Sequence, residues 1–131
     1  MNQSTEALGP RILIVDDQRS NVRLLEQTLR RAGYEEVMST VEPREVAALH
    51  QQNHYDLILL DLQMPEMNGF QVMEQLRETR STNPVSILVL SADSTQLPAV
   101  LEKGADSFIG KPFRLPEVVE RVQLMLKAPT A

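Results

Sequence analysis

Residues 57–69 read LILLDLQMPEMNG, an uninterrupted aliphatic run closed by Asp61 and followed by turn residues that include Pro65, Asn68 and Gly69. So short a run, apolar at every position, fits a strand covered on both faces rather than one half-exposed to water. The same pattern stands earlier in the chain, where Ile12 to Val15 is closed by the pair Asp16 and Asp17. Between these two strands Val22, Leu25, Leu29 and Ala32 recur at helical spacing and stop at Gly33, a residue suited to a helix C-terminus. Glu36 to Thr40 reads as a weaker strand, and Pro43 opens a second helix running through Gln51.

Beyond Gly69 the alternation continues. Phe70, Met73, Leu76 and Arg77 lie on a third helix, and the Asn83, Pro84 break precedes a strand at Ser86 to Leu90. Leu97, Val100 and Leu101 form a short stripe ending at Gly104, Ser107 to Gly110 reads as the last strand, and Val118, Val119, Val122, Met125 and Leu126 define a terminal helix. Strands that alternate with helices imply a parallel sheet, because each parallel crossover needs a connection long enough to hold a helix. The expected fold is α/β: a doubly wound five-stranded parallel sheet of flavodoxin-like order 2-1-3-4-5 with helices on both faces.

A length of 131 residues suits one domain, here 11–127, between an N-terminal segment 1–10 and a tail 128–131 that both read as disordered ends. With 42% apolar and 24% charged residues the composition is that of a soluble globular protein. The net charge of -5 disfavours attraction to nucleic acid or an anionic lipid surface, so direct nucleic-acid binding and membrane association are not expected. The absence of cysteine removes disulfides and thiolate zinc sites, and with no apolar segment of membrane-spanning length a cytoplasmic location is expected.

In a doubly wound sheet ligands bind beyond the carboxyl ends of the strands, at the point where strand order reverses. Asp16 and Asp17 follow strand one, Asp61 strand three, Ser91 strand four and Lys111 strand five, so all fall on one edge. Three carboxylates on neighbouring strands repel one another unless a cation or protonation relieves them. Magnesium suits such a site, with manganese as a substitute, because it takes oxygen ligands and is commonly held by one or two carboxylates plus phosphate oxygen. His50 and His54 lie elsewhere, as helix-end or loop residues, which argues against zinc. An ionised carboxylate attacks phosphorus in line while cations stabilise the equatorial oxygens. That assigns Asp61 as nucleophile, Lys111 as the phosphoryl counter-charge and the Ser91 hydroxyl as a hydrogen-bond donor.

The acidic pair Asp16, Asp17, the run from Asp61 through Gly69, the pair Ser91, Ala92 and the closing Lys111, Pro112, Phe113 match, in order and spacing, the receiver domain of two-component response regulators. The chain resembles that family over nearly all of Arg11 to Lys127. The resemblance implies transfer from a phosphohistidine on a sensor histidine kinase or phosphotransfer protein to Asp61. It also implies magnesium held by Asp17, Asp61 and the backbone carbonyl of Gln63, with Asp16 assisting through water. Ser91 and Phe108 become switch positions, signalling through the face of helix four, strand five and helix five to an output domain, an effector or a second copy in a dimer. In such a protein Asp61 is a phosphoacceptor that assists its own phosphorylation and dephosphorylation, not an enzyme, and Gln63 and Asp93 tune the lifetime of the acyl phosphate. A cis peptide between Lys111 and Pro112 is a further implication of the resemblance.

Rival readings fare less well. A haloacid-dehalogenase-like phosphatase expects a second acid where Gln63 stands, and a flavin or nucleotide carrier would not open its first loop with Asp16 and Asp17. A phosphorylation-independent docking module of the same fold is the remaining alternative, although it would be expected to lack some of these residues. One departure from the family stands out: the segment from Ser91 to Gly104 is short and contains Pro98, so helix four is expected to span about two turns with the proline in its first. It is also expected to be the most mobile element.

Overall fold

In the computed structural model, which describes residues 9–62 and 69–126, the sheet has five parallel strands in the order β2-β1-β3-β4-β5. They are β1 (Arg11–Val15), β2 (Glu36–Thr40), β3 (Leu57–Asp61), β4 (Ser86–Ser91) and β5 (Ser107–Gly110). The helices are α1 (Arg19–Arg31), α2 (Val46–Asn53), α3 (Gly69–Glu78), α4 (Leu97–Glu102) and α5 (Leu115–Leu126). Both central strands are covered on their two faces: every residue of β3 is buried, as are four of the five in β1. Fully burying each such aliphatic side chain contributes about 1.5–3 kcal/mol, so these two runs anchor the fold.

Alternation along the strands divides the core in two. Ile12, Ile14, Leu57, Leu59 and Leu88 point to the layer built with Val22, Leu25 and Leu29 of α1 and Val118 and Val122 of α5. Leu13, Val15, Ile58, Leu60 and Val89 point to the other, against Val46 of α2, Val72, Met73 and Leu76 of α3 and Val100 of α4. Helices therefore lie on both faces, as the sequence predicts.

Boundaries differ from the apolar runs in instructive ways. Asp61 and Ser91 are the final residues of β3 and β4 rather than the residues after them, because Asp61 still pairs in register with Leu90 and Ser91 with Gly110. Ala32 is exposed: it caps α1, and Gly33 takes the left-handed φ of 108° that ends the helix. The second helix begins as a 3-10 turn, Pro43–Glu45, where the Glu42 side chain accepts the Arg44 backbone N–H, and it runs on to Asn53. Helix α4 is preceded by a 3-10 turn, Ser94–Gln96, carries Pro98 in its first turn and buries only Val100. The Lys111–Pro112 peptide is cis. The expected disordered ends lie outside the described residues, apart from Gly9 and Pro10.

Candidate functional site

The β1–β3 register pairs Val15 with Leu60, so one further step sets Asp16 beside Asp61 at the carboxyl rim. Carboxylate oxygens of Asp16, Asp17 and Asp61 all lie within 4.8 Å of one another. Two of the three are buried, Asp16 at 2% and Asp61 at 5% exposure, and Asp17 is half-buried. Lys111 arrives from the end of β5, its backbone N–H bonded to the Ser91 carbonyl at 2.8 Å and its ammonium 3.2 Å from Asp61 Oδ1. Sequence-predicted residues from four strands thus meet on one rim.

Burial raises the Asp16 carboxyl above its usual 3.8, and the Asp61 charge pushes it further the same way. The Gln18 backbone N–H, 2.9 Å from Asp16 Oδ1, opposes the shift, as do Lys111 and the Asn21 amide 3.3 Å from Oδ2. Among the described residues one lysine stands with three carboxylates, a surplus of negative charge in a partly dry site. An all-oxygen donor set with that surplus fits a hard divalent cation. Gln63, expected to supply a carbonyl ligand, lies outside the described residues, as do Met64 through Asn68.

Ser91 is fully buried. Its hydroxyl accepts the Asp93 backbone N–H at 3.1 Å and donates to Gln96 Oε1 at 3.2 Å. Phe108, the other expected switch residue, is half-buried against the core layer that contains Val89 and Val100, and its carbonyl accepts from Arg121 of α5 at 3.1 Å. Beside the acidic cluster a groove of about 420 Å³ runs between α1 and the β5–α5 connection, walled by Leu24, Leu25 and Phe113 with Asp16 and Lys111 at its floor.

Two residues that sequence reading passed over, and a third that it read differently, shape this rim. Asn21 bonds Asp16, and Gln96 bonds Ser91. Gly69, read as turn chemistry, is required by close approach instead: a Cβ there would stand 2.8 Å from Leu62 Cδ1, 2.9 Å from Leu62 Cα and 3.1 Å from the Asp61 carbonyl. Its N–H bonds the Leu62 carbonyl at 2.9 Å, drawing the start of α3 onto the chain just past Asp61. No local pattern announces Gln96, whereas Gly69 at least stood in a legible motif.

His50 and His54 do sit at a helix end, far from the acids, but His50 is more than peripheral. It is 1% exposed, its Nδ1 accepts the Tyr55 N–H at 3.0 Å and its Nε2 lies 3.0 Å from the Asn83 carbonyl. Since Nδ1 is the acceptor, Nε2 carries the proton and donates.

Together the doubly wound sheet and its rim define an α/β domain of flavodoxin-like architecture with a cluster of carboxylates beyond the carboxyl ends of its central strands. A family model described as "Response regulator receiver domain" matches residues 12–123, and the chain belongs to that family. It is 41% identical over 116 residues to the transcriptional regulatory protein SrrA of Staphylococcus aureus, covering 88% of this chain and 47% of SrrA. The chain therefore spans about half the length of the curated relatives it matches. Among solved structures, the Vibrio cholerae chemotaxis protein CheY4 superposes with a TM-score of 0.82 at 29% identity, over 90% of this chain and 99% of that one. A CheY-like response regulator receiver domain protein from Methanospirillum hungatei gives 0.79 at 27% identity, over 90% and 94%. Among the described residues no helix is long and apolar enough to cross a membrane.

Proposed function

We propose that Asp61 accepts a phosphoryl group from a phosphohistidine of a sensor histidine kinase or phosphotransfer protein, and that the modified domain signals through the α4, β5 and α5 face. The observation that carries this reading is the convergence of Asp16, Asp17 and Asp61 beside Lys111. Asp61, at the end of a fully buried strand, is held with little freedom, which suits an in-line nucleophile. Asp17 and Asp61 would hold magnesium directly and Asp16 through water; when bound, the ion supplies charge stabilisation at the phosphoryl oxygens.

The chain's own residues then divide the work. Lys111, already 3.2 Å from Asp61, moves its charge onto the incoming phosphoryl oxygens, which are more negative than the carboxylate they replace. The Ser91 hydroxyl turns to donate to one of those oxygens, and Phe108 follows into the space it leaves. Leu97 and Leu101 are exposed on α4, so a change there alters an apolar patch open to an output domain, an effector or a second copy of the chain. Asp61 is in this scheme a phosphoacceptor assisting its own modification and its reversal.

The test is incubation with acetyl phosphate, or with beryllofluoride, in the presence of magnesium, comparing the parent chain with Asp61→Asn. Uptake by the parent and none by the variant is expected. Equal behaviour of the two would overturn the assignment.

A further inference from the structure

We infer that Gln96 is a latch that holds Ser91 in its resting orientation and ties the chemical state of Asp61 to the first turn of α4. The inference rests on the phosphoacceptor reading above. A serine hydroxyl has a single proton to donate. Here that proton goes to Gln96 Oε1 at 3.2 Å, while the oxygen accepts the Asp93 N–H at 3.1 Å. Ser91 is fully buried and Gln96 half-buried, so the bond is shielded from solvent on the serine side. The hydroxyl cannot serve Gln96 and a phosphoryl oxygen at once. Phosphorylation must break one bond to make the other.

Gln96 is placed for this by the brevity of the connection. It closes the 3-10 turn Ser94–Gln96 that leads directly into α4, and the turn is fastened at its start, where Asp93 Oδ1 accepts the Thr95 N–H at 3.0 Å and Asp93 N–H is already bonded to Ser91. Releasing Gln96 therefore frees the residue immediately before Leu97. Helix α4 has little to hold it otherwise, since Val100 is its one buried residue. The latch makes the resting state more favourable by one neutral hydrogen bond, and the affinity of any activating ligand falls by the same factor, because only the released fraction is competent.

Gln96→Leu, close in size and unable to accept, tests this on the full chain with beryllofluoride and magnesium as probe. The apparent Kd should fall about two- to tenfold relative to the parent, the worth of one such bond. Amide resonances of Leu97 through Glu102 in the unliganded variant should move part of the way toward their activated positions. Gln96→Ala, free of any steric effect of leucine, should act in the same direction. In a Ser91→Ala background, where the proton is gone, Gln96→Leu should change neither readout. An unchanged Kd in both single variants, or the same gain with Ser91→Ala, overturns the latch and leaves the phosphoacceptor reading standing. Failure of the parent to take up beryllofluoride sinks both.

Discussion

The two ends of the sheet handle charge in opposite ways. At the amino-terminal rim Asp56 and Asp106 have fixed partners in the structure: Asp56 Oδ2 accepts the Arg11 N–H at 2.8 Å, and Asp106 accepts the Ile87 N–H at 2.9 Å while pairing with Arg80 at 3.3 Å. Nearby, both ring nitrogens of His50 are engaged, joining the end of α2 to the connection before β4. At the carboxyl rim three acids gather beside, among the described residues, one lysine, and the most buried of them, Asp16, is pushed toward its protonated form. Polar groups at one end complete the backbone's hydrogen bonding; at the other, carboxylates are gathered against one another. Stability is served at the first rim and chemistry at the second, and substitutions should sort accordingly.

The largest contrast is expected from Asp61→Asn, which should abolish phosphoryl uptake, read by labelling with acetyl phosphate, yet leave the fold intact by circular dichroism. Lys111→Met should slow uptake by on the order of 10²-fold, the usual cost of losing one charge-stabilising donor. At the opposite rim the balance should reverse. His50→Ala leaves the Tyr55 N–H and the Asn83 carbonyl without their partner and opens a cavity, and should lower unfolding free energy in urea by about 2–4 kcal/mol while beryllofluoride affinity stays within twofold. A large loss of affinity without loss of stability would erase the distinction between the rims.

A smaller effect sharpens the comparison through pH. Folding raises the Asp16 carboxyl, so the native chain holds that proton more tightly than the unfolded one, and stability falls as pH rises from the ordinary carboxylate range through the raised value. The penalty is complete once pH lies above the raised value. Asp16→Asn should therefore be more stable than the parent at pH 7 without magnesium, with the gap closing below the ordinary carboxylate range and narrowing when magnesium is added. Thermal melts across pH measure it. Smallest of all, amides of α4 should exchange faster than those of α1, which buries Val22, Leu25 and Leu29 where α4 buries only Val100.

Much of this was legible in the sequence because the signals were strong and local. Continuous aliphatic runs announced β1, β3 and β4, and the acids that closed two of them announced the rim. What stayed hidden depends on contacts between distant segments. A lone histidine gives no sign that Asn83 and Tyr55 will claim both its nitrogens, and Gln96 looks like any polar residue until a short connection brings it under Ser91. Gly69 was visible as a glycine, but its reason, the proximity of Leu62 and the Asp61 carbonyl, is a packing fact. The role of Gln63 rests on resemblance alone.

The acidic cluster also says something about assembly. Asp16 and Asp61 lie at the ends of strands far apart in the chain that become neighbours only when β1 and β3 pair, so a chain without that pairing keeps these two carboxylates apart. A divalent ion bound at the cluster would favour chains in which β1 and β3 are paired over those in which they are apart, and its concentration would then shift how deeply the native basin is populated.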